Sequence, residues 1–174
     1  MNNTKLQVAL DFIELPRALA VAKAAVEGGA DYLEAGTPLI KSEGLDCVRR
    51  LRELFPDRKI IADLKTMDAG NIEVEAAAKA GASVVTVMAG ASEATIHECV
   101  QTGRQYGVEV AVDLLGVPDP IGAARRVAEL GVDWLDVHCP IDAQMRGEDP
   151  LATLRTIRPT TTLTLAVAGG LNSE

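Results

Sequence analysis

The sequence predicts an α/β protein, specifically a (β/α)8 TIM barrel whose eighth strand and final helices are missing from the 174 residues given. Three observations lead to this prediction. Short apolar runs alternate with longer Ala-rich amphipathic segments, the alternation repeats at a fixed spacing, and polar residues end strand after strand. Aromatic residues make up only 3% of the chain, which favours a core of small aliphatic side chains between helices and a sheet. We therefore expect a single domain over residues 1–174.

The apolar runs and the segments between them predict the elements in chain order. Pro16 and Pro120 lie near predicted helix starts, and Gly28 and Gly131 follow predicted helix ends. Because helices separate successive strands, the strands should form a parallel sheet. The predicted strands are 5–11, 31–35, 59–63, 83–88, 108–113, 133–138 and 162–167. The predicted helices are 16–28, 43–55, 70–80, 92–106, 119–130 and 149–158.

A repeat is visible in the residues themselves. The segments V8-A-L-D11, I60-I-A-D63 and V110-A-V-D113 each end a predicted strand with Asp, at separations of 52 and 50 residues. Such a string of βα modules fits either an open doubly wound sheet or a closed barrel. We favour the barrel, because an open sheet usually holds its ligand at one switch point, whereas all strands of a barrel contribute to one site. Eight modules need about 208 residues, so we expect either a fragment or a barrel that something else closes.

Composition excludes several classes of function. The formal net charge of −8 and the pI near 4.8 argue against a general affinity for nucleic acid or for an anionic membrane. The N-terminal residues lack the apolar core of a signal peptide, and no run is long enough to span a membrane, so we expect a cytoplasmic protein. The spacing of Cys47, Cys99 and Cys139 fits neither a disulfide framework nor a zinc site, which predicts reduced and mostly buried thiols.

The segment I61-A-D-L-K-T-M-D-A-G70 places three ionisable residues after an apolar strand. Side chains alternate along a strand, so Asp63 and Lys65 should point to the same side, and Asp68 should follow at the start of the next helix. In a barrel that side is the interior mouth. The alternative is a buried ion pair that only holds the strand end, but such pairs contribute little to stability because desolvation offsets the attraction.

Carboxylates accumulate at this mouth. Two of them 4 Å apart repel by about 4 kcal/mol at an effective dielectric constant of 20, and Lys65 alone cannot neutralise five. Either some are protonated or a divalent cation lies among them. Oxygen ligands favour Mg2+, with Mn2+ possible, over zinc. For Asp113 and Asp136 the capping of a loop is an equally good explanation. The five carboxylates are Asp11, Glu34, Asp63, Asp113 and Asp136.

Two further features belong to the same mouth. His138 lies two residues after Asp136 and therefore on the same side of its strand, where it could carry a proton. Gly169 and Gly170 follow the seventh predicted strand, and barrels frequently bind phosphate with the loops after strands seven and eight. Close approach of a glycine backbone leaves N–H groups for an anion.

These residues resemble a known family. The segment A-D63-L-K65-T-M-D68-A-G is similar to the D-x-K-x-x-D signature of the orotidine 5′-phosphate decarboxylase suprafamily. The segments V-A-L-D11, Y-L-E34-A-G and V-H138-C-P-I-D-A-Q144 look like its 3-hexulose-6-phosphate synthase family. The resemblance implies an aldehyde-lyase that adds formaldehyde reversibly to D-ribulose 5-phosphate. The reaction in that family depends on Mg2+ and passes through a metal-stabilised 1,2-enediolate.

The resemblance also implies roles for individual residues. Glu34 and Asp63 would bind the metal, and Lys65 would place positive charge where the enediolate forms. Asp11 would contact the hydroxyl groups of the sugar, and His138 would move the proton at C1.

Three further roles follow from the same resemblance. Asp68 would reach the active site of a neighbouring subunit, which implies a homodimer with shared sites. Gly169 and Gly170 would form part of the phosphate site, whose remainder in the family comes from a Gly-Arg turn after strand eight that the sequence given does not contain.

Three alternatives stay open. A 3-keto-L-gulonate 6-phosphate decarboxylase would form the same enediolate by losing CO2, but in those relatives a basic residue takes the place of Ile141. Orotidine 5′-phosphate decarboxylase itself uses no metal and would leave Glu34 unexplained. The third alternative is a non-catalytic barrel fragment that a partner completes.

Overall fold

The computed structural model describes residues 4–172 and forms a curled sheet of seven parallel strands surrounded by helices. Each strand pairs with its neighbour in the sequence, in the order β1 to β7. A helical crossover between successive parallel strands produces this order. The strands are β1 (Gln7–Leu10), β2 (Tyr32–Ala35), β3 (Lys59–Thr66), β4 (Val84–Met88), β5 (Glu109–Asp113), β6 (Trp134–His138) and β7 (Thr164–Ala168).

Eight α-helices and one short 3-10 helix, Arg158–Thr160, connect the described strands. Several begin with proline in the first turn, and the side chains of Ser92, Asp119 and Asp149 cap three of the helices. The helices are α1 (Leu15–Glu27), α2 (Thr37–Glu43), α3 (Asp46–Leu54), α4 (Gly70–Lys79), α5 (Glu93–Tyr106), α6 (Pro120–Glu129), α7 (Ile141–Met145) and α8 (Pro150–Ile157).

The seven strands are confirmed, and the predicted helices differ from the structure mainly in the second crossover. The helix predicted over residues 43–55 is present as α3, which begins three residues later than predicted, and the preceding helix α2 was not predicted. Gly44, whose φ is +63°, separates the two helices. The short helix α7 was not predicted. Strand β3 continues three residues beyond its predicted end, to Thr66, and thereby includes Lys65.

Two apolar clusters form on opposite faces of the sheet. The larger one fills the layer between the sheet and the helices, and it contains Leu33, Ile60 and Val85 from the strands. The smaller one lies on the concave face, where Ile61, Val84, Ala111 and Trp134 pack together. The three cysteines are free and buried, as predicted.

Side chains contact one another across the concave face at the amino ends of the strands. There Lys59 forms an ion pair with Glu109. Its ammonium group lies 5.8 Å from the Tyr32 ring centroid and 5.1 Å from that of Trp134, and cation–π attraction favours both contacts. These contacts occupy the amino ends of the strands, opposite the end that carries the predicted polar residues.

The two outer strands, β1 and β7, have no pairing with each other within residues 4–172. The strand order is that of a (β/α) barrel, in which each strand pairs with the next one in the sequence. The absence of an eighth strand from the chain stays a prediction. None of the helices in residues 4–172 is long and apolar enough to cross a membrane.

Candidate active site

The predicted polar residues meet at the carboxyl end of the sheet. Register places Glu34 of β2 beside Ala9 of β1, and Asp113 of β5 beside Asp136 of β6. Asp11 follows β1 directly, and its carboxylate lies over Gly36, where a β-carbon would come within 2.0 Å of Asp11 Oδ1. The structure therefore brings the strand-end carboxylates predicted from the repeat to one mouth.

Both carboxylate oxygens of Asp63 accept hydrogen bonds, and the residue is only 6% exposed. Thr37 donates its hydroxyl to Asp63 Oδ2 at 2.5 Å, and Thr86 donates its hydroxyl to Asp63 Oδ1 at 2.7 Å. The Lys65 ammonium nitrogen lies 3.3 Å from Asp63 Oδ2. Asp63 and Lys65 therefore point to the same side, as the strand alternation predicts.

Lys65 has an unusual backbone conformation. Its φ of +49° is in the left-handed region, which is rare for a residue with a long side chain and costs about 1–3 kcal/mol. The pairing of β3 with β4 is irregular between Ala62 and Thr66. Such strained positions cluster at functional sites, and this one carries the central cation of the mouth.

Asp113 connects the two cationic side chains. Its Oδ2 accepts hydrogen bonds from the Lys65 ammonium at 2.6 Å and from His138 Nδ1 at 3.2 Å, and its Oδ1 accepts one from the Leu115 backbone N–H at 2.7 Å. The Asp113 side chain is fully buried. Loop capping and charge pairing thus coexist at this residue, for which the sequence left both explanations open.

The pKa values of these three groups reflect their contacts. Burial alone would raise the pKa of Asp113, but the hydrogen bonds and charges of His138 and Lys65 hold it below its ordinary value. The hydrogen bond to Asp113 raises the pKa of His138. Burial opposes ionisation of Lys65, yet Asp113 and Asp63 raise its pKa overall. In this network the Asp113 carboxylate therefore lies between the Lys65 ammonium and the His138 imidazole.

The other carboxyl groups of the mouth, Glu34, Asp136 and Asp11, have raised pKa values. Burial, followed by the Asp63 charge, raises the pKa of Glu34 to about 8 even though Gln7 donates a hydrogen bond to Glu34 Oε2 at 2.6 Å. Burial and the Asp113 charge raise the pKa of Asp136 to about 7. Burial and Asp63 also raise the pKa of Asp11. Burial and, after it, the neighbouring carboxylates therefore oppose ionisation of these three groups.

The donor set fits a divalent cation. Asp136 Oδ1 is buried and has no hydrogen-bond partner among the described residues. Ligand atoms of Asp113, Asp136 and His138 lie within 4.8 Å of one another. Glu34 and Asp63, the metal ligands implied by the resemblance, are not part of this group of three. A predominantly carboxylate donor set suits Mg2+ or Mn2+. A cation would also supply the positive charge that the raised pKa values call for.

Asp68 lies apart from this cluster. The helix predicted from residue 70 begins there, as α4, and Asp68 lies two residues before it, next to Ala69, which is in a left-handed conformation. The Asp68 carboxylate accepts the Ala69 backbone N–H at 2.7 Å and is exposed. Among the described residues, no hydrogen bond joins Asp68 to the mouth of its own chain.

The loop after β7 approaches the loop after β6 closely. Gly169 and Gly170 have φ values of +87° and +74°, and a β-carbon on Gly169 would lie 2.1 Å from the Cys139 carbonyl oxygen. Gln144 donates its side-chain amide to the same oxygen at 2.8 Å. Both glycines are therefore required by the backbone itself, which is an explanation independent of any anion.

The sequence of the chain is similar to those of known proteins. A family model described as "Orotidine 5'-phosphate decarboxylase / HUMPS family" matches residues 4–173. The chain belongs to this family. The 3-hexulose-6-phosphate synthase of Bacillus subtilis is 38% identical over 171 residues, which cover 98% of this chain and 81% of that protein.

Solved structures of the family give the same result. The 3-hexulose-6-phosphate synthase of Salmonella typhimurium superposes with a TM-score of 0.91 at 35% identity, over 97% of this chain and 80% of that one. The 3-keto-L-gulonate-6-phosphate decarboxylase of Vibrio cholerae O1 gives 0.87 at 31% identity, over 96% and 78%. These similarities support the curled sheet as the barrel of this family.

Three side chains that contact the carboxylates of the mouth were not predicted from the sequence. Gln7, Thr37 and Thr86 contact Glu34 or Asp63 through hydrogen bonds. Gln7 and Thr86 lie at inward positions of predicted strands, so strand alternation could have identified them. Thr37 opens the short helix α2, whose existence the sequence pattern did not reveal.

Proposed function

We propose that the chain is an aldehyde-lyase that adds formaldehyde reversibly to D-ribulose 5-phosphate, giving 3-hexulose 6-phosphate through a 1,2-enediolate. The observation that carries the proposal is the Lys65–Asp113–His138 network, which lies within the acidic mouth of a chain 38% identical to a 3-hexulose-6-phosphate synthase. Such a network offers one group to move a proton and one to stabilise the resulting anion.

His138 is the group proposed to move the proton. With Nδ1 held by Asp113, Nε2 is the ring nitrogen that would take a proton from C1 of the sugar. Loss of the C1 proton converts C1 and C2 into an enediolate. C1 of the enediolate then forms a bond to the formaldehyde carbon. The former aldehyde oxygen takes up the proton, so that the reaction is balanced without any further reactant.

Lys65 is the group proposed to stabilise the anion. Its ammonium already lies between Asp63 and Asp113, so it is fixed before the substrate arrives. A preorganised charge of this kind lowers the barrier where negative charge develops and needs no reorganisation during the reaction. Asp113 would fix the positions of both Lys65 and His138.

Glu34 and Asp63 would hold the divalent cation, with Asp136, whose buried Oδ1 has no hydrogen-bond partner among the described residues, as a further donor. Mg2+ or Mn2+ bound there would supply Lewis-acid polarisation of the substrate oxygens. Asp11 at the rim would accept hydrogen bonds from sugar hydroxyls. The backbone N–H groups at Gly169 and Gly170 would contribute to phosphate binding.

Asp68 is proposed to act in a second copy of the chain. It is exposed, and the neighbouring apolar side chains Met67 and Ile72 are 55% and 65% exposed. Burial of these side chains against another copy would favour a homodimer and would carry Asp68 towards the partner's mouth.

The experiment that tests the proposed function is product analysis with 13C-formaldehyde. The chain, Mg2+ and ribulose 5-phosphate should convert the labelled carbon into the C1 hydroxymethyl group of 3-hexulose 6-phosphate, detected by NMR. Without the sugar phosphate, no label should be consumed. Equal consumption with and without the sugar would contradict the proposal.

The second candidate function is decarboxylation of 3-keto-L-gulonate 6-phosphate. The similarity to the Vibrio cholerae decarboxylase favours it, whereas the apolar Ile141, which is 74% exposed beside the mouth, favours the synthase. Release of CO2 from keto-gulonate phosphate, without incorporation of formaldehyde, would support this candidate. Absence of both activities would favour a non-catalytic role.

A further inference from the structure

The pairing of β3 with β4 contains a bulge, which places Asp63 and Lys65 opposite a single residue of β4. Ala62 pairs with Val85, and Thr66 pairs with Val87. Three residues of β3, 63–65, therefore lie opposite a single residue of β4, which is Thr86. Bulges of this kind re-aim side chains next to active sites. Here the bulge places both Asp63 and Lys65 on the concave face in front of Thr86.

The Thr86 hydroxyl binds both of these residues. It accepts the Lys65 backbone N–H at 3.0 Å and donates its own hydrogen to Asp63 Oδ1 at 2.7 Å. Thr86 is only 3% exposed, so water does not readily replace either bond. The bulge removes the Lys65 N–H from the regular ladder, and a buried N–H without a partner is costly.

We propose that Thr86 is a positioning residue, whose hydroxyl holds the Lys65 backbone in its left-handed conformation and fixes the Asp63 carboxylate at the same time. The Lys65 ammonium then meets Asp63 and Asp113 at 3.3 and 2.6 Å. Thr86 itself acts through these neighbours and does not contact the substrate. The kinetic part of this inference rests on the proposed function, whereas its structural part does not.

Two substitutions at this position separate the hydroxyl from the packing. Thr86→Val keeps the volume and removes the hydroxyl, whereas Thr86→Ser keeps the hydroxyl and removes the methyl group. A role in packing alone predicts that Val is tolerated at least as well as Ser. Positioning predicts the reverse order. Thr102, which is also buried but lies in α5, provides Thr102→Val as the matched control.

The kinetic test compares kcat and KM for ribulose 5-phosphate. Misplacement of a catalytic group by about 1 Å can cost about 100-fold in rate, so we expect kcat of Thr86→Val to fall by about 10- to 100-fold. KM should change by less than about threefold, because Lys65 stabilises charge that develops only in the transition state. Thr86→Ser should retain kcat within about threefold, and Thr102→Val should match the wild type. Equal kcat for Val and Ser would overturn the inference.

Crystal structures of the two variants test the inference without any assay. In Thr86→Val the Lys65 backbone should leave the left-handed region, or its ammonium should lose the contact with Asp113, while Thr86→Ser should keep both. If the backbone and the ammonium of Lys65 keep their positions in Thr86→Val, the positioning role is overturned, whatever the kcat of the variant. Conversely, a displaced Lys65 in a chain without aldolase activity would contradict the proposed function and leave the positioning role intact.

Discussion

Substitution of Asp113 by Asn tests the ion network at its centre. The change preserves shape and removes the charge that lies 2.6 Å from the Lys65 ammonium and 3.2 Å from His138 Nδ1. At an effective dielectric constant of 20 the attraction to Lys65 is about 6 kcal/mol before desolvation is subtracted. Removing one partner of a buried pair costs about 3–5 kcal/mol.

The expected loss lies at the lower end of that range, because Lys65 keeps its contact with Asp63 at 3.3 Å. A loss of about 3 kcal/mol should lower Tm by about 6–12 °C in a domain of this size. Activity should fall by at least about 100-fold, the lower bound of a general acid–base contribution. Calorimetry and initial rates measure the two effects.

The pH profile of the same variant gives a third measurement. Asp113 raises the pKa of His138, and a base acts in its neutral form, so kcat/KM of the wild type should rise as pH passes through the His138 pKa. In Asp113→Asn that pKa falls, and the rising limb should move to lower pH. Asp46→Asn, which removes an exposed partner of Arg49, is the control and should change nothing. An unmoved limb together with an unchanged Tm would refute the reasoning.

Three further predictions concern the cation and the loop after β7. Asp63→Asn should abolish stimulation of the reaction by Mg2+ and lower the rate by at least about 100-fold. Titration of activity with Mg2+ checks this prediction, and full activity of the wild-type chain after chelation would contradict it. The pKa of Glu34 is about 8 in the folded chain and 4.5 ordinarily, so the folded chain binds the extra proton between these values. Without divalent cations, the stability of the fold should therefore fall as pH rises from about 4.5 to 8. Added Mg2+ should therefore raise Tm more at pH 8.5 than at pH 5.5, and an equal rise at both values would count against a carboxylate cation site. Gly169→Ala should destabilise the fold by at least about 1–3 kcal/mol, because φ is +87° and the new methyl would meet the Cys139 carbonyl; urea unfolding measures this, and an unchanged midpoint would show that the loop can adjust.

The repeat of apolar runs was sufficient to predict the order of the strands and the end at which the site lies. The spacing of Asp11, Asp63 and Asp113 reflects equal βα modules, and parallel strands bring equal positions to one edge. Glu34 and His138 followed from the same logic, because each lies near the end of its strand. Periodicity is a property of the backbone repeat, and for that reason it survives in the sequence.

The contacts within the mouth could not be predicted in the same way. Nothing in the segment D63-L-K65 reveals that Lys65 takes a positive φ, because that conformation depends on the hydroxyl of Thr86 on the next strand. The choice of Asp113 as the common partner of Lys65 and His138 likewise depends on the curvature of the sheet. Thr37 was missed because α2 is too short to leave a helical periodicity.

The most direct test of the central claim is exchange of the C1 proton of ribulose 5-phosphate in D2O without formaldehyde. The account predicts that the chain, with Mg2+, introduces deuterium at C1, observed by 1H NMR, because the enediolate forms before the new bond. Lys65→Met and His138→Gln should each abolish the exchange while the chain remains folded. Aldol product without any C1 exchange, or exchange that survives both substitutions, would contradict the account.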